Sequence, residues 1–287
     1  MELFLHLGAH RTGSTAFQRT LKRNGDVLAA AGTAYWGPEW MRGRDHLMLR
    51  DNGRFDTGAE AAVAEDLAAT GAARLIVSDE NILGSMRRNL LEGGFYAGAV
   101  ARLVAYCSHL GMEPARIGLG IRDYAAYWVS AYSYLLPAKP LPDFAALKPA
   151  LLAPDRGWRE VIADLRGLFP RAEIMVWPLE AVQGRMRALV ARFADQTPQR
   201  LRGVEKRINT APGLAAIPAV RAIRAAEPDL NGAQMRARLA EMDLAGAPAP
   251  ELFTGAERRA LAARYAEDCA ALAAGFADVR YLAEGRI

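Results

Sequence analysis

Cysteine and lysine are scarce in this chain. Two cysteines, Cys107 and Cys269, occur in 287 residues, both inside helical patterns. Two thiols supply neither a disulfide framework nor the spacing of a zinc site, so both are expected as core thiols. Four of the 36 Lys and Arg residues are lysines: Lys22, Lys139, Lys148 and Lys206. The net charge of +4 is therefore carried by arginine and contains no block of like charge. Such a balance suits an anionic ligand but is not a nucleic-acid footprint. Long apolar runs are missing too. The five mostly apolar residues behind Glu2 are too few for a signal peptide or a membrane span, and the cytoplasm is the expected compartment. Repeats, low-complexity segments and flexible linkers are also lacking. What remains is a chain that is 52% hydrophobic, enough for a sizeable core in one domain.

The densest information lies in Met1 to Thr20. Leu3 to Leu7 read as a buried strand, Gly8-Ala9-His10-Arg11-Thr12-Gly13 as a glycine loop, and Ser14-Thr15 as the start of a helix. A glycine loop running into a helix N-terminus is an anion site, because backbone N–H groups converge there and the helix dipole adds positive charge. Gly8 and Gly13 have the spacing of a Walker A motif, and Thr15 stands where that motif has its metal-binding hydroxyl. Its lysine is missing, since position 14 is Ser14; the loop's cation is Arg11.

Further along, apolar runs at Arg74–Val77, Ile117–Ile121 and Glu173–Trp177 read as strands. Helices are expected over 14–31, 59–70, 93–110, 123–135, 156–168 and 180–194. Residues 33–60 and the prolines at 137, 140 and 142 read as loops. Four strands separated by helices imply α/β architecture with a parallel sheet and right-handed crossovers. Strand signals stop after about 196, and 214–276 read as helices broken near 228–232 and 246–254. The expected organisation is one domain over 1–287, with a nucleotide-binding α/β core over 1–200. A helical C-terminal extension over 201–287 packs on that core.

Arg11-Thr12-Gly13-Ser14-Thr15 resembles the 5′-phosphosulfate loop of sulfotransferases that use 3′-phosphoadenosine 5′-phosphosulfate (PAPS), with Arg in place of the usual Lys. Arg122 at a strand end and Ser130 eight residues later resemble the 3′-phosphate element of that family. Lys206-Arg207-Ile208-Asn209-Thr210 is similar to its late basic loop. The resemblance covers roughly residues 1–210. It implies a P-loop-like three-layer fold and direct transfer of a sulfonate from PAPS to a hydroxyl or amine, with 3′-phosphoadenosine 5′-phosphate (PAP) as product. It also implies that His10, Arg11, Thr12, Gly13, Ser14, Thr15, Arg122, Ser130, Lys206 and Arg207 bind the donor. His10, inside the loop, shapes it or touches substrate.

Such a transfer needs a base for the acceptor and cations on the sulfonate and leaving phosphate, and this logic requires no metal. Arg11 serves the second need. Glu80, after the strand at 74–77, resembles the family's glutamate base, and His46 is the alternative. The acceptor is expected to be a small molecule, sugar or lipid, in a pocket bordered by the Trp36, Trp40 and His46 loop and by residues 137–154. Two rival readings stay open. Ser78-Asp79-Glu80 also looks like the end of a Walker B strand, which with Thr15 suits a P-loop NTPase or kinase. A nucleotide-binding protein without catalysis is the other.

Overall fold

The computed structural model describes all residues except 51–52, 56–57, 59, 205–212, 245–246 and 284–287. The fold is α/β. A central sheet of six parallel strands is flanked by helices on both faces. The strands are β1 (Glu2–Gly8), β2 (Thr33–Trp36), β3 (Arg74–Ser78), β4 (Pro114–Ile121), β5 (Glu173–Pro178) and β6 (Arg280–Tyr281), and their spatial order is β2-β3-β1-β4-β5-β6.

β1 shows why the sheet forms. Leu3, Leu5 and Leu7 point to one face and join the larger core, while Phe4 points to the other and joins a second core with Phe17 and Phe193. Strict alternation on a strand buried from both sides makes a three-layer structure. His6 belongs to the second face. It stacks on Phe17 with ring centroids 3.8 Å apart and its Nδ1 lies 2.6 Å from Ser78 Oγ. Burial lowers its pKa to about 3, so it is a neutral packing group.

The structure corrects several sequence expectations. Among the described residues the sheet has six strands rather than four. β2 lies inside the stretch read as a loop, and β6 pairs with β5 beyond the point where strand signals stop. The first helix breaks at Asn24 into Ser14–Arg23 and Gly25–Ala30. The helix expected from 93 begins at Ala99, and a separate helix, Met86–Glu92, precedes it. The helix expected over 180–194 is two, Leu179–Val182 and Met186–Phe193. Part of the proline-marked loop region is the helix Phe144–Leu152, with Pro149 inside. The C-terminal helix Gly255–Ala273 packs on Tyr124–Leu135. Cys107 is buried and Cys269 half-buried, and both are free thiols.

Candidate active site

In this sheet the connection leaving β1 runs toward β2 on one side, and the connection leaving β3 crosses β1 to reach β4 on the other. Connections that diverge in this way leave a crevice at the carboxyl ends of the strands. The C-terminal ends of β3, β1 and β4, three neighbours in space, carry Glu80, the 8–15 loop and Arg122 to that edge. A cavity of about 2000 Å³ opens there.

The loop is shaped by its backbone. Gly8, Arg11 and Gly13 all have positive φ, at 86°, 61° and 90°. A Cβ on Gly8 would lie 2.8 Å from the Cβ of Glu80, so only glycine lets the β3 end close on the loop. Thr12 is turned inward. Its hydroxyl donates to Ala9 O at 2.7 Å and is housed against Gly120, where a Cβ would meet it at 2.7 Å. Thr12 therefore braces the loop and does not line the cavity. Ser14 and Thr15 do line it. The helix they open has no side-chain cap and no acidic residue in its first turn. The helix dipole attracts an anion there, beside the Glu80 carboxylate that Gln18 of the same helix holds.

Arg11 is held from three directions. Its Nε donates to Ser130 Oγ at 2.9 Å, its guanidinium lies 4.5 Å from the centroid of the Tyr134 ring, and its own carbonyl accepts from Arg122 Nη1 at 3.0 Å. The loop and the Arg122/Ser130 element, read from sequence as binding opposite ends of one nucleotide, thus touch each other. Burial lowers the pKa of Arg11 and of Arg122, and Arg122 lowers that of Arg11 further. Two guanidinium groups in such proximity favour an anion beside them. Tyr134, one turn beyond Ser130, is one of the helix's aromatics that the sequence leaves between core and cleft lining; the structure places it at the cavity beside Arg11.

His10 is neutral and its tautomer is defined. Asn81 Nδ2 donates to Asp79 Oδ1 at 2.8 Å, so Asn81 Oδ1 faces His10 Nε2 at 3.3 Å. Nε2 therefore carries the proton, and Nδ1 accepts from the Tyr96 hydroxyl at 2.9 Å. Burial lowers the pKa of this imidazole, against the pull of the Glu80 charge. His10 lines the cavity as a neutral N–H donor, not as a cation.

Glu80 lines the cavity beside the loop and accepts from Gln18 Nε2 at 2.8 Å. Asp79 does not line it. Its carboxylate accepts from the backbone and side chain of Asn81 and caps the 3₁₀ turn Glu80–Ile82. Burial, then the nearby Glu80 charge, pushes its pKa up to about 6. His46 also lies off the cavity. Its Nε2 pairs with Asp66 Oδ2 at 2.7 Å, and its carbonyl lies 2.6 Å from His109 Nε2. Trp36 and Trp40 stack on each other away from the cavity, while their neighbours Arg42, Met48 and Leu49 line it. From the proline-marked region Lys139 does so. Lys206 and Arg207 lie outside the described residues.

No family model matches the chain, and no curated protein matches it. Among solved structures, a sulfotransferase from Alicyclobacillus acidocaldarius is similar at 15% identity with a TM-score of 0.45. The match covers 85% of this chain and 98% of that one. Among the described residues, no helix is long and apolar enough to cross a membrane.

Proposed function

We propose that this chain is a sulfotransferase that moves the sulfonate of PAPS to a hydroxyl or amine of an acceptor. The observation that carries the reading is the Arg11–Ser130 hydrogen bond together with the Arg122 bond to the Arg11 carbonyl. Two elements more than a hundred residues apart in sequence, each selected as an anion site, close on one wall of one cavity. The residues fit such a donor. The uncapped helix start at Ser14 and Thr15, Arg11 and Arg122 supply cationic and N–H donors, and Gly8 keeps the cradle open to Glu80.

In this reading Arg11, Ser14, Thr15 and the loop N–H groups hold the 5′-phosphosulfate, and Arg122 with Ser130 holds the 3′-phosphate. Bound PAPS supplies an activated sulfonate. Glu80, at the junction of loop and β3, takes the proton of the acceptor hydroxyl, and the amide of Gln18 orients its carboxylate. Arg11 meets the negative charge that grows on the leaving phosphate. Its hydrogen bond to Ser130 keeps the guanidinium at the cavity wall until an anionic group competes for it. The Walker B-like reading is disfavoured by Asp79, which is spent on capping its own turn and does not face the cavity.

The test is calorimetric binding of PAP against ATP with Mg²⁺. Tight binding of PAP with none of Mg-ATP supports the reading. Preference for Mg-ATP overturns it in favour of a P-loop NTPase or kinase. Turnover of no acceptor despite tight PAP binding would favour a nucleotide-binding protein without catalysis.

A further inference from the structure

The cavity is larger than one ligand needs. Small-molecule sites commonly enclose roughly 300–1000 Å³, against about 2000 Å³ here. The sheet order divides it. By strand order Arg122 and Ser130, after β4, and Arg187, after β5, leave the sheet on one side of the β1 loop, and Arg42 and Glu80, after β2 and β3, on the other; the helix Met86–Glu92, after β3, reaches across to pack on Tyr124–Leu135. Glu80 stands at the boundary, its Cβ against Gly8.

The β2/β3 half has its own chemistry. Its lining includes Met48, Leu49, Met86 and Leu91, an apolar stretch, and the cations Arg42 and Arg87. Arg88, on the same helix as Arg87, is neutralised by Glu92 at 2.6 Å. Among the described residues, the side chains of Arg42 and Arg87 make no hydrogen bond or ion pair. Arg42 lies near enough to Asp79 to draw its pKa down against burial. Arg42, whose charge also reaches Glu39 and Asp79, and Arg87 are both exposed and rim an apolar wall of the cavity that the candidate base lines. Cations placed in this way attract an anion, and the wall beside them rewards buried hydrocarbon.

We infer that the acceptor is an anionic amphiphile: a hydroxyl-bearing molecule with an apolar part and its own carboxylate or phosphate, which Arg42 and Arg87 receive while its hydroxyl is presented to Glu80. This inference rests on the sulfotransferase reading, because it assigns the β4/β5 half to the donor.

The experiment measures binding to the PAP-saturated protein of three probes that share one alkyl chain: octyl glucoside, octyl glucuronide and octyl glucoside 6-phosphate, all below their micellar concentrations. The expected result is at least about tenfold tighter binding of one or both anionic probes than of the neutral one, the size of a charge-assisted hydrogen bond to a guanidinium. The two anionic arms distinguish carboxylate from phosphate. The double variant Arg42→Ala, Arg87→Ala should lose that preference while its affinity for PAP is unchanged. Equal binding of all three probes, binding of none, or a preference that survives the double variant would each overturn the inference. If PAP binds normally in those cases, the donor reading stands and only the acceptor class is wrong. If PAP itself fails to bind the unaltered protein, both fall together.

Discussion

At the scale of single residues, the roles of Glu80, Arg122 and Asp79 separate cleanly by measurement. Glu80→Gln keeps the shape and the Gln18 contact region but cannot take a proton. It should leave PAP affinity within about twofold and cut turnover by roughly 10²- to 10⁴-fold, the usual contribution of a general base. A near-normal rate would remove Glu80 from that role, and His46, tied to Asp66 away from the cavity, is poorly placed to inherit it. Arg122→Ala should weaken PAP far more than adenosine 5′-phosphate, by about tenfold or more, since a charge-assisted contact to one phosphate is lost. Equal losses for both nucleotides would sink the 3′-phosphate assignment. Asp79 is a stability problem rather than a ligand contact. Its folded pKa of about 6 lies above the ordinary 3.8, so the fold favours its neutral form. Stability from this group is full below the unfolded pKa and is lost as pH rises through about 6, where a buried charge must be tolerated. Asp79→Asn keeps a carbonyl acceptor for Asn81. It should melt a few degrees above the parent at pH 7.5, and the gap should close as pH falls toward the ordinary carboxylate range. A gap independent of pH would mean that folding does not raise the Asp79 pKa.

At the scale of elements, the candidate site stood out in the sequence more than the frame around it. The loop, the β3 end with Glu80 and the Arg122/Ser130 element were found because each combines a strand end with residues of narrow use: paired glycines, an arginine, clustered hydroxyls. The missed elements gave weak signals for physical reasons. β6 has two residues and β2 four, too short for alternation to register, and both form only because a neighbouring strand offers a ladder. The helix Phe144–Leu152 follows the prolines at 137, 140 and 142 and contains Pro149, whose lost hydrogen bond is tolerated in so short a helix. The helix Met86–Glu92 could have been read, since Ser85 caps its start and Gly93 at φ 69° ends it. Gly8 tests how tightly loop and β3 are joined. Alanine there would need a φ near 86° and would bring its Cβ to 2.8 Å from Glu80. Gly8→Ala should cost about 1–3 kcal/mol of stability, the range for strain at a special backbone position. It should also weaken PAP, because the β3 end must move off the loop. Melting and binding unchanged by this substitution would mean that loop and strand end are not packed as described.

At the scale of the whole molecule, the folding pattern sorts charge. The chain is nearly balanced, with 36 Lys and Arg against 32 Asp and Glu. Among the described residues lining the cavity, nine are Lys or Arg and two, Glu80 and Glu92, are carboxylates. The surplus is thus gathered at the carboxyl edge of the sheet, where the dipole of the Ser14–Arg23 helix adds to it. A concave, partly desolvated site lined by one sign of charge focuses its field into the cavity, so it raises both the affinity and the capture rate of a multiply charged nucleotide. Salt reveals such a field. Raising ionic strength from about 0.05 M to about 0.5 M shortens the screening distance from well beyond ten ångströms to only a few, below the width of the cavity. PAP affinity should then fall by at least about tenfold, while adenosine, which has the same base and sugar but no charge, should change little. Affinity measured by calorimetry at both salt concentrations decides it, with melting temperature followed in parallel to exclude a global effect of salt on the fold. A PAP affinity that ignores salt would place the nucleotide away from this cationic edge and, with it, the donor half of the site.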